Sequence, residues 1–411
     1  MSTSHHLYVG IDIGGHHHQV AVCDSDGNLC DEFDITHDAR GFEHFFARLS
    51  LLQENTASGV LIAMEGVNGH ARPLDRLIQE KGYPLYNVNN LKLARFKEIF
   101  PAPAKTDILD ARRIAELLRL RPFMSKQKEI LQLVTSAPLE NERLKRLTRR
   151  RKQLVEEKVL ILNRLTVDLQ ATAPGLVDIA PNRDARWLLQ FLMARPRLKQ
   201  LATMHTKSLL ALPGIGKVYT SRIQEWQGNA SFSADEELVS SMIREDARRL
   251  LALKETIAQL DQVITSQVPQ SLLARLIHTI PGFGLISSAE LAGEIGTLNR
   301  FSSEQSLAMY LGMAPLDKSS GKFQGGRCAR QVNKRSRMAM LTGSAHHVLK
   351  CPQSQKYYRK KRKEGKRHNQ ALRCLGRHLV RVIWVMFIQE RSYEIRKEKE
   401  EINHENVNNT A

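Results

Sequence analysis

The sequence is short of several things, and each shortage excludes a class of protein. No run of about 18 apolar residues occurs, so no bilayer-spanning helix and no membrane partner are expected. The opening Met1-Ser-Thr-Ser-His-His lacks the shape of a signal peptide, and a soluble cytoplasmic protein is expected. Only five cysteines occur in 411 residues: Cys23, Cys30, Cys328, Cys351 and Cys374. Their odd number and the lack of C-x-x-C spacing argue against a disulfide framework or a zinc knuckle, and predict reduced thiols. Acidic residues are outnumbered, with 43 Asp and Glu against 61 Lys and Arg, a net charge of +18. Such an excess suits a polyanionic partner, nucleic acid first, held by salt-sensitive contacts.

What is present starts with an alternating segment at 7–14, where Leu7, Val9, Ile11 and Ile13 share one face and Asp12 lies on the other. Strands follow near 18–24 and 29–35, joined by the turn signal Asp26-Gly27-Asn28. A helix at 42–52 precedes a continuous apolar strand, 59–65, which ends in Glu65. A helix near 70–81 and a strand near 84–88 lead to Lys105-Thr-Asp-Ile-Leu-Asp-Ala111. There Asp107 and Asp110 are three apart at the start of an amphipathic helix 107–120, so both carboxylates should face one way. Thr106 is an N-cap candidate, and a capped, solvated helix start would look the same. Two earlier acids on apolar strands favour more than a cap. Hairpin strands followed by alternating helices and strands, with acids at these four places, describe an RNase H-like α/β layer. Clustered carboxylates there suit phosphodiester chemistry with two divalent ions, and Mg²⁺ prefers oxygen ligands. Gly10-Ile-Asp-Ile-Gly-Gly15 also resembles the first phosphate loop of actin-like sugar kinases, but the later Gly-rich nucleotide loops are missing. His16, His17 and His18 read as a solvated or core-edge cluster, because strand alternation turns His17 away from its neighbours.

The rest of the chain is mostly helical. Over 140–170, Leu147, Leu154 and Ile161 recur every seven residues, predicting a coiled-coil arm that packs against another subunit. Its block Arg149, Arg150, Arg151 and Lys152 is either a solvated face or a nucleic-acid contact, and the basic chain favours contact. Two turns, Pro213-Gly-Ile-Gly216 and Pro281-Gly-Phe-Gly284, follow apolar approaches and precede helices. They fit helix-hairpin-helix motifs in which Gly214, Gly216, Gly282 and Gly284 let backbone N–H groups approach phosphate, or else plain tight helix connections. Helices are expected at 286–295 and 304–311. The Gly-punctuated loop 322–337 offers Lys322, Arg327, Arg330, Lys334 and Arg335. A serine beside such arginines has the surroundings of a phosphoryl-transfer nucleophile, and also of an ordinary turn. Tyr357-Tyr-Arg-Lys-Lys-Arg-Lys-Glu-Gly-Lys-Arg367, with Arg359, Lys360 and Lys366, fits a nucleic-acid surface ahead of a helix at 369–389. The expected domains are 1–125, the RNase H-like layer; 126–205, helical arm; 206–392, helix-hairpin-helix and serine loop; and 393–411, a disordered tail.

Together these motifs resemble the DEDD-type insertion-sequence transposases of the one-ten and eleven-eleven families. Gly10-Ile-Asp12, Met64-Glu65-Gly66 and Lys105-Thr-Asp107-x-x-Asp110-Ala are similar to their RuvC-like domain. Ile280-Pro-Gly-x-Gly, Leu311-Gly-x-Ala-Pro315, Ser320-Gly321, Gly325-Gly-Arg327 and Gly365-Lys366 are similar to their C-terminal transposase domain. The resemblance implies a bacterial, nucleoid-associated recombinase that acts on element ends and target DNA under a structured, bridge-type guide RNA. It implies that Asp12, Glu65, Asp107 and Asp110 hold Mg²⁺ or Mn²⁺, and that a loop serine attacks DNA to form a phosphoserine link. Five residues after Pro315 is the family's serine position, which selects Ser320 with Ser319 beside it. A dimer or tetramer with a composite site is implied. Pro213-Gly-Ile-Gly216 does not map onto the family pattern. The competing functions are a RuvC-like structure-selective nuclease using metal-activated water, and a non-catalytic nucleic-acid-binding protein with structural acids.

Overall fold

A computed structural model describes residues 6–56, 59–67, 69–98, 106–124, 130–320, 323–328 and 332–395, the side chains of 55–56, 91–92, 315–320 and 323–328 excepted. Of the sequence features above, Lys105, Gly321, Lys322, Arg330 and the tail from 396 lie outside the described residues. The chain divides into two compact units, 1–136 and 137–411.

The first unit is built on strands β1 (His6–Ile13), β2 (His17–Cys23), β3 (Leu29–Thr36), β4 (Gly59–Glu65), β5 (Leu85–Val88) and β6 (Leu131–Leu133). Its helices are α1 (Ala39–Thr56), α2 (Arg72–Glu80), α3 (Asn90–Lys97) and α4 (Asp107–Leu120). The six strands form one sheet in the order β3-β2-β1-β4-β5-β6. β1 runs antiparallel to β2 and parallel to β4, and β6 closes the edge antiparallel to β5. The β2–β3 connection turns at Gly27, whose φ of +93° lies where L side chains are strained, and Asp24 Oδ1 accepts from Asp26 N and Asn28 N at 2.9 Å. Both faces of the sheet are covered. Leu7, Val9, Ile11 and Ile62 meet Phe45 and Leu74 on one side, while Tyr8, Ala63 and Val88 meet Ile114 and Leu118 of α4 on the other. Asp12 therefore lies on a helix-covered face, not on an open one as its alternation alone suggests.

Among the described residues the second unit is helical apart from one hairpin: α5 (Leu139–Thr172), α6 (Arg186–Met193), α7 (Leu198–Ala202), α8 (Thr206–Leu210), α9 (Lys217–Gly228), α10 (Glu236–Gln267), α11 (Leu272–His278), α12 (Leu285–Ile295), α13 (Glu304–Tyr310), β7 (Pro315–Ser320), β8 (Phe323–Cys328), α14 (Lys334–Lys350), α15 (Pro352–Lys363) and α16 (His368–Ile388). The expected heptad seam is occupied within the chain. Leu154 and Ile161 are buried, and the salt bridges Arg151–Asp261 and Arg164–Asp246 set α5 antiparallel to α10. A seven-residue apolar repeat specifies a helical partner but not whose chain supplies it. The pair bridges two cores, one including Ile161, Leu165 and Ile243, the other including Leu144, Ile264 and Leu291.

Candidate active site

The four acids singled out in the sequence come from three elements that meet at one end of the first unit's sheet. β1 and β4 are paired up to Ile11–Met64, so Asp12 and Glu65 follow as the next residues on adjacent strands. Gly10 then decides where α4 lies. A Cβ built on Gly10 would sit 2.2 Å from the Ala111 carbonyl oxygen and 2.4 Å from Ala115 N, so only glycine admits the helix backbone this close. On α4, Asp107 stands one turn before that contact and Asp110 immediately before it. Thr106 occupies the N-cap position in extended conformation, but its side chain makes no capping hydrogen bond.

The electrostatics record the convergence. The Asp12 carboxyl is pushed up to about 6 by burial first and then by the charge of Asp110, with smaller contributions from Asp107 and Glu65, while Lys97 pulls it down. Lys97, at the end of α3, places Nζ 2.7 Å from Asp110 Oδ2, and Arg113 Nη1 approaches Oδ1 at 3.5 Å. Glu65 accepts from Asn90 Nδ2. Among the described residues no group of three His, Cys, Asp or Glu side chains is arranged to hold a metal ion. Asp110, Asp107 and Glu65 all act on the Asp12 carboxyl without being gathered into such a set, and Lys97 and Asn90 are bonded to Asp110 and Glu65. The donor set of the four acids is all oxygen, the kind a hard divalent cation takes. Lys97 and Asn90 went unnoticed in the sequence. A basic residue in a helix's last turn is ordinary dipole complementation, and nothing local marks it as a partner of Asp110.

The histidine run separates as follows. His16 and His17 are exposed, while His18 is buried with Nε2 2.8 Å from His37 Nδ1, and His37 stacks on His70 at 4.4 Å. Burial, with His37 and His70 nearby, depresses His18 to about 4, which leaves it neutral near pH 7.

In the second unit, Ser319 and Ser320 close β7, paired with Gln324 and Phe323 of β8, so the serine stands on a strand of a hairpin where an irregular loop was expected. Pro315, Asp317 and Lys318 gave no strand signal. The Arg149–Lys152 block is largely engaged inside the chain: Arg149 with Glu294, Arg151 with Asp261, and Lys152 with Glu156. Arg150 is exposed, as are Lys334, Arg335, Arg359 and Lys360, whereas Lys366 is half-buried with its ammonium 2.8 Å from Glu364. The two Pro-Gly-x-Gly turns differ. Gly214 and Gly216 are exposed before α9, and Gly214 has φ +81°. Gly282 has φ +96° and packs on α14, where an added Cβ would lie 2.4 Å from His347 N. His347 Nδ1 stands 2.6 Å from the Pro281 carbonyl oxygen, and the Phe283 ring fills the space beside Gly343. The second turn therefore joins helices within the core, and Gly284 remains exposed at the start of α12.

Known proteins resemble this chain along most of its length. A family model for DEDD transposases of the IS110 type, described as "Transposase", matches residues 9–174. A second, "Transposase IS116/IS110/IS902 family", matches residues 274–359. The 44.8 kDa protein of insertion element IS116 from Streptomyces clavuligerus is 27% identical over 402 residues, covering 96% of this chain and 98% of the relative. The 42 kDa protein of IS900 from Mycobacterium paratuberculosis is 25% identical over 395 residues, 94% of this chain and 97% of the relative. The mini-circle putative transposase for IS117 from Streptomyces coelicolor is 22% identical over 391 residues, 90% of this chain and 91% of the relative.

Proposed function

Because this chain belongs to the DEDD-type insertion-sequence transposases of the IS110 family, we propose that it cuts and rejoins DNA by phosphoryl transfer, with Ser320 as nucleophile and Asp12, Glu65, Asp107 and Asp110 as ligands for Mg²⁺ or Mn²⁺. The reading is carried by the convergence of those acids where α4 crosses Gly10, expressed in the raised Asp12 carboxyl. Ions bound there would supply positive charge to the attacking and leaving oxygens of the scissile phosphate. A cation held there would favour the ionised form of Asp12, whose carboxyl is pushed up by burial and then by the neighbouring acids. Ser320 Oγ forms a bond to phosphorus as the bond from phosphorus to a deoxyribose oxygen breaks. The serine proton is lost, and the released oxygen gains one. Rejoining reverses the exchange with the hydroxyl of the new partner strand, so no water is consumed.

The partners in this reading are the element ends, the target DNA and a structured RNA from the element's flank that chooses both. A dimer or tetramer brings the strands together. Lys334, Arg335, Arg359 and Lys360 are exposed and suited to phosphate contacts that position nucleic acid without reading sequence. The test is strand exchange between labelled element-end and target duplexes, with Mg²⁺ and RNA transcribed from the element's flank. Joined products that require the RNA and vanish in Asp12→Ala are expected. Strands that are nicked but never joined, with or without RNA, would instead assign the chain to structure-selective nucleases.

A further inference from the structure

The β7–β8 hairpin leaves the helical body after Ala314, since Leu311 and Met313 are still buried in its core, and returns at Asn333; Glu294 meets Asn333 through its carboxylate and Tyr310 through its main-chain carbonyl. Glu294 of α12 is wholly buried; its carboxylate accepts from Arg149 Nε at 2.7 Å and Nη2 at 2.9 Å, and from Asn333 Nδ2 at 2.6 Å. The same amide nitrogen stands 2.7 Å from Tyr310 Oη, and that hydroxyl donates to the Glu294 carbonyl oxygen at 2.8 Å. Asn333 N donates to the Tyr310 carbonyl oxygen at 3.0 Å, which closes the ring through the main chain. The Asn333 side-chain oxygen caps α14, accepting from Arg335 N and Ser336 N at 3.0 Å. Gly293 gives Glu294 its reach. A Cβ there would lie 2.5 Å from Lys145 N, so α12 meets α5 at backbone distance, one turn before Arg149. Burial alone would raise the Glu294 carboxyl, but the Arg149 fork, the Asn333 amide and the nearby Lys145 charge hold it below its ordinary value.

We propose that Glu294, with Arg149 and Asn333, is a positioning group that ties the return of the β7–β8 hairpin at Asn333 to Tyr310 and so presents Ser320 from a defined base. This rests on the reading of Ser320 as nucleophile. A carboxylate shared between a fork of donors and one amide restricts geometry more than apolar packing does, because each bond has a preferred direction.

The test is a reciprocal exchange: Glu294→Gln, Asn333→Asp and the double variant, which moves the carboxylate across the same hydrogen bond and keeps one charge for Arg149. In the full-length protein, amide exchange in peptides covering 315–328 should quicken about tenfold or more in Asn333→Asp, where two acids face each other, and less in Glu294→Gln. The double variant should return to within about threefold of wild type, with exchange in α16 unchanged throughout. The rate of protein–DNA adduct formation on an element-end duplex should fall and recover in parallel, at unchanged duplex affinity. If Asn333→Asp does not fold, Arg149→Lys keeps the charge without the fork and should loosen 315–328 alone. Unchanged exchange in both single variants, or a double variant no better than the worse single, overturns the proposal. Should no variant, wild type included, form an adduct, the nucleophile reading fails while the exchange data still decide the clamp.

Discussion

Asp12 is destabilising in the metal-free protein at neutral pH, and that is measurable. Its folded value of about 6 lies above the ordinary 3.8, so its contribution to stability is full below 3.8 and is lost as pH rises through 6. Asp12→Asn should therefore stabilise the metal-free protein by about 1–2 kcal/mol at pH 7.5, less than the ~3 kcal/mol of an unscreened shift. In urea unfolding the difference should close near pH 4. Lys97→Gln removes the ammonium bonded to Asp110 and should tighten Mn²⁺ binding by about threefold to tenfold, measured by calorimetry. Weaker binding would make Lys97 a support of the cation rather than its competitor. At this scale Asp12 and Glu65 stood out because a carboxylate on an apolar strand contradicts its surroundings, and Asp107 and Asp110 because they share one helix face. The partners of the basic residues were not. Arg149 reads as a phosphate contact until α12 brings Glu294 beneath it, 145 positions later in the chain.

The packing of helix on strand fixes the site, and its weakest tolerance is at Gly10. Gly10→Ala forces α4 away from β1, and overpacking of this kind costs about 1–3 kcal/mol. Thermal unfolding should report that loss, and cation binding should weaken with it, because Asp107 and Asp110 move with the helix. Leu154→Ala should cost about 2–5 kcal/mol without changing the oligomeric state seen by light scattering, since the residue is buried against its own chain. Dissociation of an oligomer by that change would show that the seam joins subunits after all. The strands and helices around the acids were legible from period and turn signals, because each buries a regular face. The second long helix, α10, was legible in principle from Ile243, Ala247 and Leu250 but was not assigned in the sequence. The β7–β8 hairpin was not legible, because Asp317, Lys318, Ser319 and Ser320 have no β-branched neighbours to mark a strand and pairing with β8 defines it.

At the scale of the molecule, two units with separate cores carry the carboxylates and the serine, and the net charge of +18 comes from the second of them, since acids slightly outnumber Lys and Arg in the first. DNA affinity should therefore fall by about tenfold or more between 50 and 200 mM salt, as counterion release requires when several phosphates are neutralised. Fluorescence anisotropy on one duplex at several salt concentrations gives the slope. The family was legible because its motifs are spaced along nearly the whole chain, and the models matching 9–174 and 274–359 fall on both units. The measurement closest to the central claim is the covalent intermediate itself. An element-end duplex incubated with protein, Mg²⁺ and flank RNA, then denatured, should leave an adduct whose digested peptide carries the nucleotide on Ser320; Ser320→Ala should form none and Asp12→Ala little. An adduct of wild-type yield in the Ser319→Ala/Ser320→Ala double variant, or wild-type strand exchange with no adduct at any time point, would contradict the account.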